Sequence, residues 1–273
     1  MRCMHDISAR SVAGVEVVPL CDAVGPMGES LRRPLDETFP GSSPELWERL
    51  RDEEPGAFGA GGEWVLHFHC FLLRVPAGPT VLVDTGIGGT HSAAAGWAPV
   101  PGRLVDALSA AGAAPADVDV VVLTHLHSDH AGGAVAEGQP TFPNARYVLQ
   151  RQEMDWLLGA PDNPVAEQTL LPLLEAGCLD AVDGRTRLAE AVELFPTPGH
   201  TPGHQSVVID DHRLVVTGDV VLHPVQLADE TVTYLYDEDA ATAAVTRSAL
   251  LERIRTRDGL VAAPHLPSPF ARP

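Results

Sequence analysis

The motif THLHSDHAGG at residues 124–133 constrains this chain more than any other feature of its sequence. It places four side chains that can bind a metal ion within six residues: His125, His127, Asp129 and His130. The apolar run DVDVVVLT before the motif is typical of a buried strand, so the motif should lie in a loop at the end of that strand. Alternate residues of an extended loop point to the same side. We therefore predict that these side chains share one cavity, where histidine nitrogen and carboxylate oxygen suit a metal such as zinc.

One loop cannot surround a metal ion, so further ligands should come from distant segments. His200 lies in the turn-rich segment PTPGHTPGH, Asp219 follows the apolar run RLVVTGD, and His265 follows GLVAAPH. Each of these runs resembles the end of a strand, so the three side chains could lie on the same rim of a sheet. A lone histidine is more often a surface residue or a hydrogen-bonded core residue, but a cluster such as HLHSDH favours a metal site.

Short apolar runs from residue 64 onwards are typical of strands, and most of them end near Gly, Asp or Pro. Residues 101–112 begin with Pro and end with Gly, as helices prefer, and residues 237–256 also have a helical pattern. The apolar face of this second helix comprises Ala240, Ala243, Ala244, Leu250, Leu251 and Ile254. Because strands and helices alternate, we predict a single α/β domain over residues 1–273.

Residues 25–63 form the least regular part of the sequence. They include the probable helix SPELWERLRDEE, in which Ser43 could cap the first turn and Pro44 would occupy the first helical position. We interpret the segment as an inserted flap that shapes the access of substrate to the site.

The charge balance and the apolar pattern limit the classes of partner. The chain has 18 basic and 37 acidic residues, a net charge of -19, which disfavours binding to a nucleic acid. No apolar run approaches the roughly 20 residues that span a bilayer, and the N-terminus lacks the apolar segment of a signal peptide. None of the four cysteines forms a CxxC pair. We predict a cytoplasmic protein that acts on a small molecule, without nucleic-acid or membrane partners, and the sequence leaves a homodimer open.

Together these residues resemble the metallo-β-lactamase superfamily of metallo-hydrolases over roughly residues 64–267. HLHSDH matches the family signature HxHxDH, VLVDTG at residues 81–86 matches an earlier aspartate motif, and the three later ligand positions are also filled. The resemblance implies a four-layer αββα sandwich with the metal ions at one edge, between the sheets.

The resemblance also implies two divalent metal ions, with zinc as the first choice and manganese, iron or cobalt as alternatives. The resemblance implies that one ion is bound by His125, His127 and His200. The other ion would be bound by Asp129, His130 and His265, and Asp219 would bridge the two ions. Asp84 would orient the ligand loop through hydrogen bonds, and His204 is a weaker candidate for a similar outer role.

This ligand set implies a hydrolase in which a hydroxide between the metal ions cleaves a small ester, lactone or phosphotriester. Asp129 would also orient the nucleophile and pass its proton to the leaving group, and His223 is a candidate proton donor or substrate contact. His67 and His69 share one face of a strand and either line the pocket or pack within the sheet.

The stretch that begins GDVVLHPVQLADE is most similar to the branch of methyl parathion hydrolases and related lactonases. Acyl-homoserine lactonases have a tyrosine three residues after the bridging aspartate, where this chain has Leu222.

Four other functions remain open at this point. A thioesterase or glyoxalase-II-like hydrolase would need basic residues for an anionic substrate, and none is evident. A mononuclear-iron dioxygenase would not need the complete ligand set. A non-catalytic metal-binding scaffold is disfavoured because no ligand is lost, and a nuclease is disfavoured by the acidity.

Overall fold

The computed structural model describes residues 8–26, 28, 32–160 and 162–273. In chain order the strands are β1 (Arg10–Val12), β2 (Val15–Pro26), β3 (Val65–Arg74), β4 (Thr80–Val83), β5 (Val120–Val122), β6 (Val135–Ala136), β7 (Gln139–Pro140), β8 (Arg146–Gln150), β9 (Leu179–Val182), β10 (Thr186–Ala189), β11 (Val192–Pro196), β12 (Gln205–Ile209), β13 (Leu214–Val216), β14 (Leu260–Ala262) and β15 (Phe270–Ala271). One sheet has the order β1-β2-β3-β4-β5-β8-β9, a second has the order β10-β11-β12-β13-β14-β15, and β6 pairs with β7.

Helices lie on the outer faces of the two large sheets and also form part of the segment between β2 and β3. The α-helices are α1 (Leu35–Thr38), α2 (Pro44–Glu53), α3 (Leu104–Ala110), α4 (Ser128–Ala131), α5 (Arg151–Leu158), α6 (Leu171–Glu175), α7 (Val225–Ala228) and α8 (Ala240–Thr256). Single turns of other helical types cover Pro55–Ala57, Pro115–Asp117, Ala166–Leu170 and Gly218–Val220. Within the described ranges, no helix has both the length and the apolar character needed to cross a bilayer.

Strand periodicity divides the core into layers. Val81 and Val83 of β4 pack in the cluster between the two sheets, whereas Leu82 points the other way, into the cluster that contains Leu108 of α3. On the far side of the second sheet, Leu251 of α8 packs in a third cluster with strand residues. The order is therefore helix, sheet, sheet, helix, and it confirms the predicted αββα sandwich.

The ends of neighbouring strands bring the candidate ligands to one edge of this sandwich. Strands β4 and β5 are parallel, as are β13 and β14, so the loops that follow the two strands of each pair start on the same side. Asp84 and His125 follow the first pair, and Asp219 and His265 follow the second. His200 lies in the turn between β11 and β12, on the same side of the second sheet.

Two of the predicted helices begin or end at different residues in the structure. The helix predicted over residues 101–112 is limited to α3, and Gly112, with a φ of 79°, lies just beyond its end, where a left-handed residue commonly terminates a helix. The helix predicted from residue 237 begins only at Ala240, because the side chain of Asp239 caps it by accepting a hydrogen bond from Thr242 N at 3.0 Å. In α2, Ser43 accepts from Leu46 N at 3.2 Å, which confirms the predicted cap.

The described part of segment 25–63 packs behind the site instead of projecting from the domain. Phe39 and Trp47 are buried in one apolar cluster with Leu222 and Tyr234, which lie between β13 and β14 in the chain. The proposed effect of this segment on substrate access stays a prediction, and it would act through these contacts.

Candidate metal centre

The seven side chains that the sequence singled out as metal ligands meet at one edge of the sandwich. They form two groups, within each of which the candidate ligand atoms lie within 4.8 Å of one another. The first group comprises His125, His127, His200 and Asp219, and the second comprises Asp129, His130 and His265.

In the first group, the side chains converge on His127. Its Nδ1 lies 3.0 Å from Nε2 of His125 and 2.9 Å from Nε2 of His200. Oδ2 of Asp219 lies 3.2 Å from Nε2 of His200 and 3.8 Å from Nε2 of His125. Three imidazole nitrogens and one carboxylate oxygen therefore face a common point.

In the second group, Nε2 of His265 lies 3.3 Å from Nε2 of His130 and 3.4 Å from Oδ2 of Asp129. The other oxygen of Asp219, Oδ1, lies 3.2 Å from Nε2 of both histidines. Asp219 thus directs one carboxylate oxygen toward each group, as a bridging ligand must.

Three observations fit a divalent metal ion in each group. Asp219 is only 3% exposed, yet its Oδ1 has no hydrogen-bond partner, whereas buried polar atoms are nearly always paired. His127 Nδ1 faces two other imidazole nitrogens, and such nitrogens cannot all be satisfied by one shared proton. The donors are histidine nitrogen and carboxylate oxygen, which suit divalent transition metals.

The electrostatics of the site divides the histidines into two kinds. Burial lowers the pKa of His125 and of His127 well below the usual value, which leaves the neutral rings with a free lone pair. Burial acts to lower the pKa of His130 and of His200, but Asp219 and the other nearby carboxylates outweigh it, so the pKa of His130 lies well above its usual value and that of His200 at about 9; a metal ion would displace a proton from these two rings. Burial acts to raise the pKa of Asp219, but His130, His265 and His200 outweigh it and hold that pKa well below its usual range. A carboxylate and neutral imidazoles are the protonation states that bind a metal ion.

Asp84 lies directly behind the second group. Its carboxylate accepts hydrogen bonds from Thr124 N at 2.8 Å, from Thr124 Oγ1 at 2.9 Å and from Nδ1 of His130 at 2.9 Å. The last bond fixes the tautomer of His130, so that its Nε2 faces the group. This is the position that the predicted outer role of Asp84 requires.

His204 lies behind the first group and supports the backbone of Asp219. Its Nε2 accepts from Asp219 N at 3.0 Å, and its Nδ1 donates to Thr197 Oγ1 at 2.8 Å. Burial lowers its pKa to about 3, so the ring is neutral and able to accept. A Cβ at Gly218 would lie 2.6 Å from Nε2 of His204, and the φ of Gly218 is 53°, so only glycine allows this close approach.

Sequence reasoning missed two buried carboxylates that support the ligand loops. Glu153 of α5 accepts from Leu126 N at 2.8 Å, Thr201 Oγ1 at 2.7 Å and Gly203 N at 3.0 Å, and it thereby ties together the loops that carry the histidines. Asp237 lies 2.8 Å from Nδ1 of His200. Neither carboxylate belongs to a motif, and no pattern in the sequence distinguishes it from a surface acid.

His223 does not lie where its predicted role in proton transfer or substrate contact would require. It is fully buried, and the rings of Phe39, Trp47, Phe58 and Trp64 surround it at 5.2–5.7 Å between centroids. It is not among the residues that line the cavity at the metal centre. Its position favours a packing role.

The two strand histidines, His67 and His69, also lie outside this cavity lining. Their rings stack at 5.7 Å on one face of β3. The carbonyl oxygen of His67 accepts from Nδ1 of His265 at 2.8 Å, which fixes that ligand from behind. Packing within the sheet is therefore the reading that the structure favours for both side chains.

A cavity of about 190 Å³ opens onto both groups of ligands. Apart from the ligands and Ser128, it is lined by Leu66, Trp97, Leu222, Tyr234 and Tyr236. The two tyrosines belong to residues 229–239, which connect α7 to α8 and which we call the α7–α8 loop. The wall opposite the ligands is thus apolar and aromatic.

Comparison with known proteins relates the chain to a family of enzymes. The family model described as the metallo-beta-lactamase superfamily matches residues 65–265. N-acyl homoserine lactonase AiiA of Bacillus thuringiensis subsp. kurstaki is 29% identical over an alignment of 196 residues, and the match covers 65% of this chain and 73% of that relative. N-acyl homoserine lactonase AttM of Agrobacterium fabrum is 33% identical over an alignment of 175 residues, and the match covers 55% of this chain and 62% of that relative.

Solved structures share the same fold. AidC, a dizinc quorum-quenching lactonase in complex with a product, superposes with a TM-score of 0.80 at 20% identity and covers 97% of this chain and 92% of its own. The hydrolase AbOPH of the β-lactamase superfamily gives a TM-score of 0.79 at 23% identity, over 96% of this chain and 90% of its own. Both agree with the four-layer arrangement described above.

Proposed function

The chain belongs to the metallo-β-lactamase superfamily, and we propose that it hydrolyses uncharged lactones or esters with an apolar acyl group at a dizinc centre. It is a metal-dependent hydrolase, and its site has the ligands for two divalent metal ions. Zinc is the ion that we assign, because neutral imidazole and carboxylate ligands are typical of catalytic zinc sites.

The proposal for the substrate rests on the charge of the side chains that line the cavity. Among the residues that line the cavity in the described part of the chain, none is Lys or Arg. The carboxylates of Asp129 and Asp219 lie on the ligand side, and the whole chain has a net charge of -19. A substrate with its own carboxylate or phosphate would find no cation other than the metal ions and would be repelled by the protein.

The apolar side of the cavity points to the other half of the substrate. Leu66, Trp97 and Leu222 can cover an alkyl or aryl group, and burial of such a group contributes about 0.8 kcal/mol per CH₂. Two of the relatives are N-acyl homoserine lactonases. We therefore place lactones with an acyl side chain first among the candidate substrates.

We assign the ligands as the geometry groups them. His125, His127 and His200 would hold one ion, Asp129, His130 and His265 would hold the other, and Asp219 would contribute one oxygen to each. When bound, two such ions lower the pKa of water toward neutrality and polarise the scissile carbonyl.

Within this centre, Asp129 is the side chain best placed to move a proton. It lines the cavity, and its side chain is 10% exposed, more than that of Asp219. It would accept the proton of the attacking water and return it to the leaving alkoxide, which keeps the proton balance of lactone opening. Ser128, whose Oγ accepts from Nε1 of Trp97 at 3.2 Å, lines the same cavity and helps to fix the position of Trp97.

A thioesterase that acts on anionic thioesters is the main competing function, and the lining argues against it. Phosphotriesters are uncharged and fit the same electrostatic rule, so they remain second candidates. The predicted kinship to methyl parathion hydrolases stays a prediction on this point.

The experiment that tests the proposal compares matched neutral and anionic substrates. The zinc-loaded protein should be assayed with an acyl lactone, an aryl ester, a phosphotriester, and esters that carry a carboxylate on the same acyl chain. We expect the neutral lactone or ester to have a kcat/KM at least about 10-fold above that of its anionic match. A preference for the carboxylate-bearing substrate, or for an anionic thioester, would refute the proposal.

A further inference from the structure

His200 is held by the α7–α8 loop through both its ring and its backbone. Nδ1 of His200 donates to Oδ1 of Asp237 at 2.8 Å, and the side chain of Asp237 is fully buried. The carbonyl oxygen of His200 accepts from Glu238 N at 3.1 Å, and that of Gly199 accepts from Asp239 N at 2.9 Å. Because Nδ1 donates to Asp237, Nε2 is the ring nitrogen that faces the first group and would bind a metal ion there.

The other oxygen of Asp237 holds the loop itself. Oδ2 accepts from Tyr234 N at 3.2 Å, and the ring of Tyr234 stacks on the ring of His200 at 5.9 Å with an angle of 29° between planes. Tyr234 is also part of the cavity wall. One carboxylate therefore fixes a candidate metal ligand and a residue of the substrate cavity at the same time.

A buried arginine anchors this loop to the segment that follows Asp219. Arg247 of α8 is 1% exposed, and it donates to the carbonyl oxygens of Glu230 at 3.0 Å, Val232 at 2.6 Å and Val220 at 3.3 Å. Burial lowers the pKa of Arg247, and Asp237 contributes the largest opposing effect. A buried guanidinium is costly unless its donors are satisfied, so this arrangement indicates a specific structural task.

The flap side of the loop is pinned as well. Leu235 N donates to the carbonyl oxygen of Thr38 at 2.9 Å, and Thr233 N donates to that of Pro40 at 3.0 Å. The α7–α8 loop is thus held from three directions: by the ligand turn, by α8 and by the segment before α2.

We propose that Asp237 is a positioning residue for the metal ion held by His125, His127 and His200, and that Arg247 keeps Asp237 in place. The proposal rests on the assignment of ligands given above and not on the identity of the substrate. Asp237 does for the first ion what Asp84 does for the second, where Nδ1 of His130 donates to Oδ2 of Asp84 at 2.9 Å. Loss of such an outer partner typically weakens metal binding by about 10- to 100-fold.

The test measures the two zinc dissociation constants by competition with a chelator, without substrate. Asp237→Asn keeps the size of the side chain and removes its charge, and Asp84→Asn is the matched variant for the second ion. Asp258→Asn, on a side chain that is 89% exposed, is the surface control. We expect Asp237→Asn to raise the dissociation constant of one zinc ion by about 10- to 100-fold. Asp84→Asn should raise that of the other zinc ion, and the control should change neither constant.

Cobalt substitution shows which ion is affected. In the cobalt protein, the ring N–H protons of ligand histidines give shifted NMR signals, and the signal of His200 should move or exchange faster in Asp237→Asn while that of His130 stays. In Asp84→Asn the pattern should be reversed. Equal weakening of both ions by Asp237→Asn, or unchanged constants together with an unchanged His200 signal, would overturn the proposal.

A second variant guards against a failure of Asp237→Asn to fold. Arg247→Lys keeps the positive charge, but the lysine cannot reach three carbonyl oxygens. It should therefore raise the dissociation constant of the same zinc ion by a smaller factor. A change in the constant of the other ion alone would contradict the proposal. These measurements need no turnover, so they test the role of Asp237 independently of the substrate. If the protein does not hydrolyse lactones but Asp237→Asn selectively weakens the binding of one zinc ion, the proposed substrate is wrong and the role of Asp237 is supported.

Discussion

The two halves of the metal centre share the HLHSDH loop, but the outer partners of their histidines come from different parts of the chain. In the second half, His130 donates to Asp84, directly after β4, and His265 donates to the carbonyl oxygen of His67 in β3, so both ligands are fixed by the first sheet. In the first half, His200 depends on Asp237, which belongs to the α7–α8 loop.

The position of the His200 ring in the first half therefore depends more on a loop than do the positions of His130 and His265 in the second half. Strand ends within a sandwich are fixed by the packing of the whole core, whereas the α7–α8 loop is held by individual hydrogen bonds from the ligand turn, from Arg247 and from the segment before α2. The α7–α8 loop also carries Tyr234 and Tyr236 of the cavity wall. A change in this loop should therefore affect the first metal site more than the second.

The largest expected effect comes from the residue that the two halves share. Asp219→Ala removes the carboxylate whose oxygens lie 3.2 Å from His200 on one side and 3.2 Å from His130 on the other. Activity should fall by more than about 100-fold, beyond the loss expected for an outer partner, and the zinc content should drop below two ions per chain. Assays of kcat/KM and metal analysis check this, and retention of full activity would rule out the bridging role.

A smaller effect should distinguish the halves. Glu153→Gln leaves three donors, on Leu126, Thr201 and Gly203, facing a side chain with only one acceptor oxygen. A buried N–H left without a partner costs about 1–3 kcal/mol, so we expect the metal-free protein to lose about 2 kcal/mol of unfolding free energy in urea. Glu252→Gln, at an exposed position of α8, is the control.

The effect of Glu153→Gln on metal binding should also be unequal. Glu153 accepts from Leu126, which lies between His125 and His127, and from residues next to His200, so its contacts are adjacent to ligands of the first half. The zinc ion of the first half should be weakened more than that of the second. Equal weakening would mean that the two halves are less independent than their anchors suggest.

The sequence predicted the ligands better than it predicted their supports. HLHSDH and three strand-end residues could be recognised because metal chemistry restricts both residue type and spacing. Asp84 could be found because it lies in a motif at the end of β4. Asp237 and Glu153 could not, because an outer carboxylate needs only a position in space, and many sequence positions can supply it.

The fold was predictable to a similar degree. The strands with continuous apolar runs, such as β3 and β5, lie where the sequence predicts them. Strands β1 and β2 were not predicted, since Pro19 and Asp22 interrupt the apolar pattern of β2. The helical pattern of α8 predicted an apolar face but not Arg247, which is buried on it: a charged residue is assigned to the surface unless its partners are known.

The smallest expected effect concerns the aromatic cluster behind both halves, in which the ring of Trp64 lies 5.7 Å from His223 and 6.4 Å from His265. Burial lowers the pKa of His223 from 6.5 to about 3. Between these pH values the unfolded chain binds a proton that the folded chain does not, so the stability from the neutral ring is complete above pH 6.5 and is lost as pH falls. The slope from one such group is at most about 1.4 kcal/mol per pH unit.

His223→Phe should therefore flatten the pH dependence of unfolding below pH 6.5. The phenyl ring fits among the same aromatic neighbours but loses the hydrogen bond from Val225 N to Nδ1, at 3.0 Å, so a small loss of stability at pH 7 is expected as well. Urea unfolding of the metal-free protein at pH 7 and pH 5.5 measures both effects.

Because the cluster touches His265 through Trp64 and His200 through Tyr234, the zinc dissociation constants of the two halves should stay in the same ratio. A shift of that ratio would show that His223 acts on the metal centre instead of supporting the wall behind it, and an unchanged pH slope would show that the burial of His223 does not contribute to the pH dependence of stability.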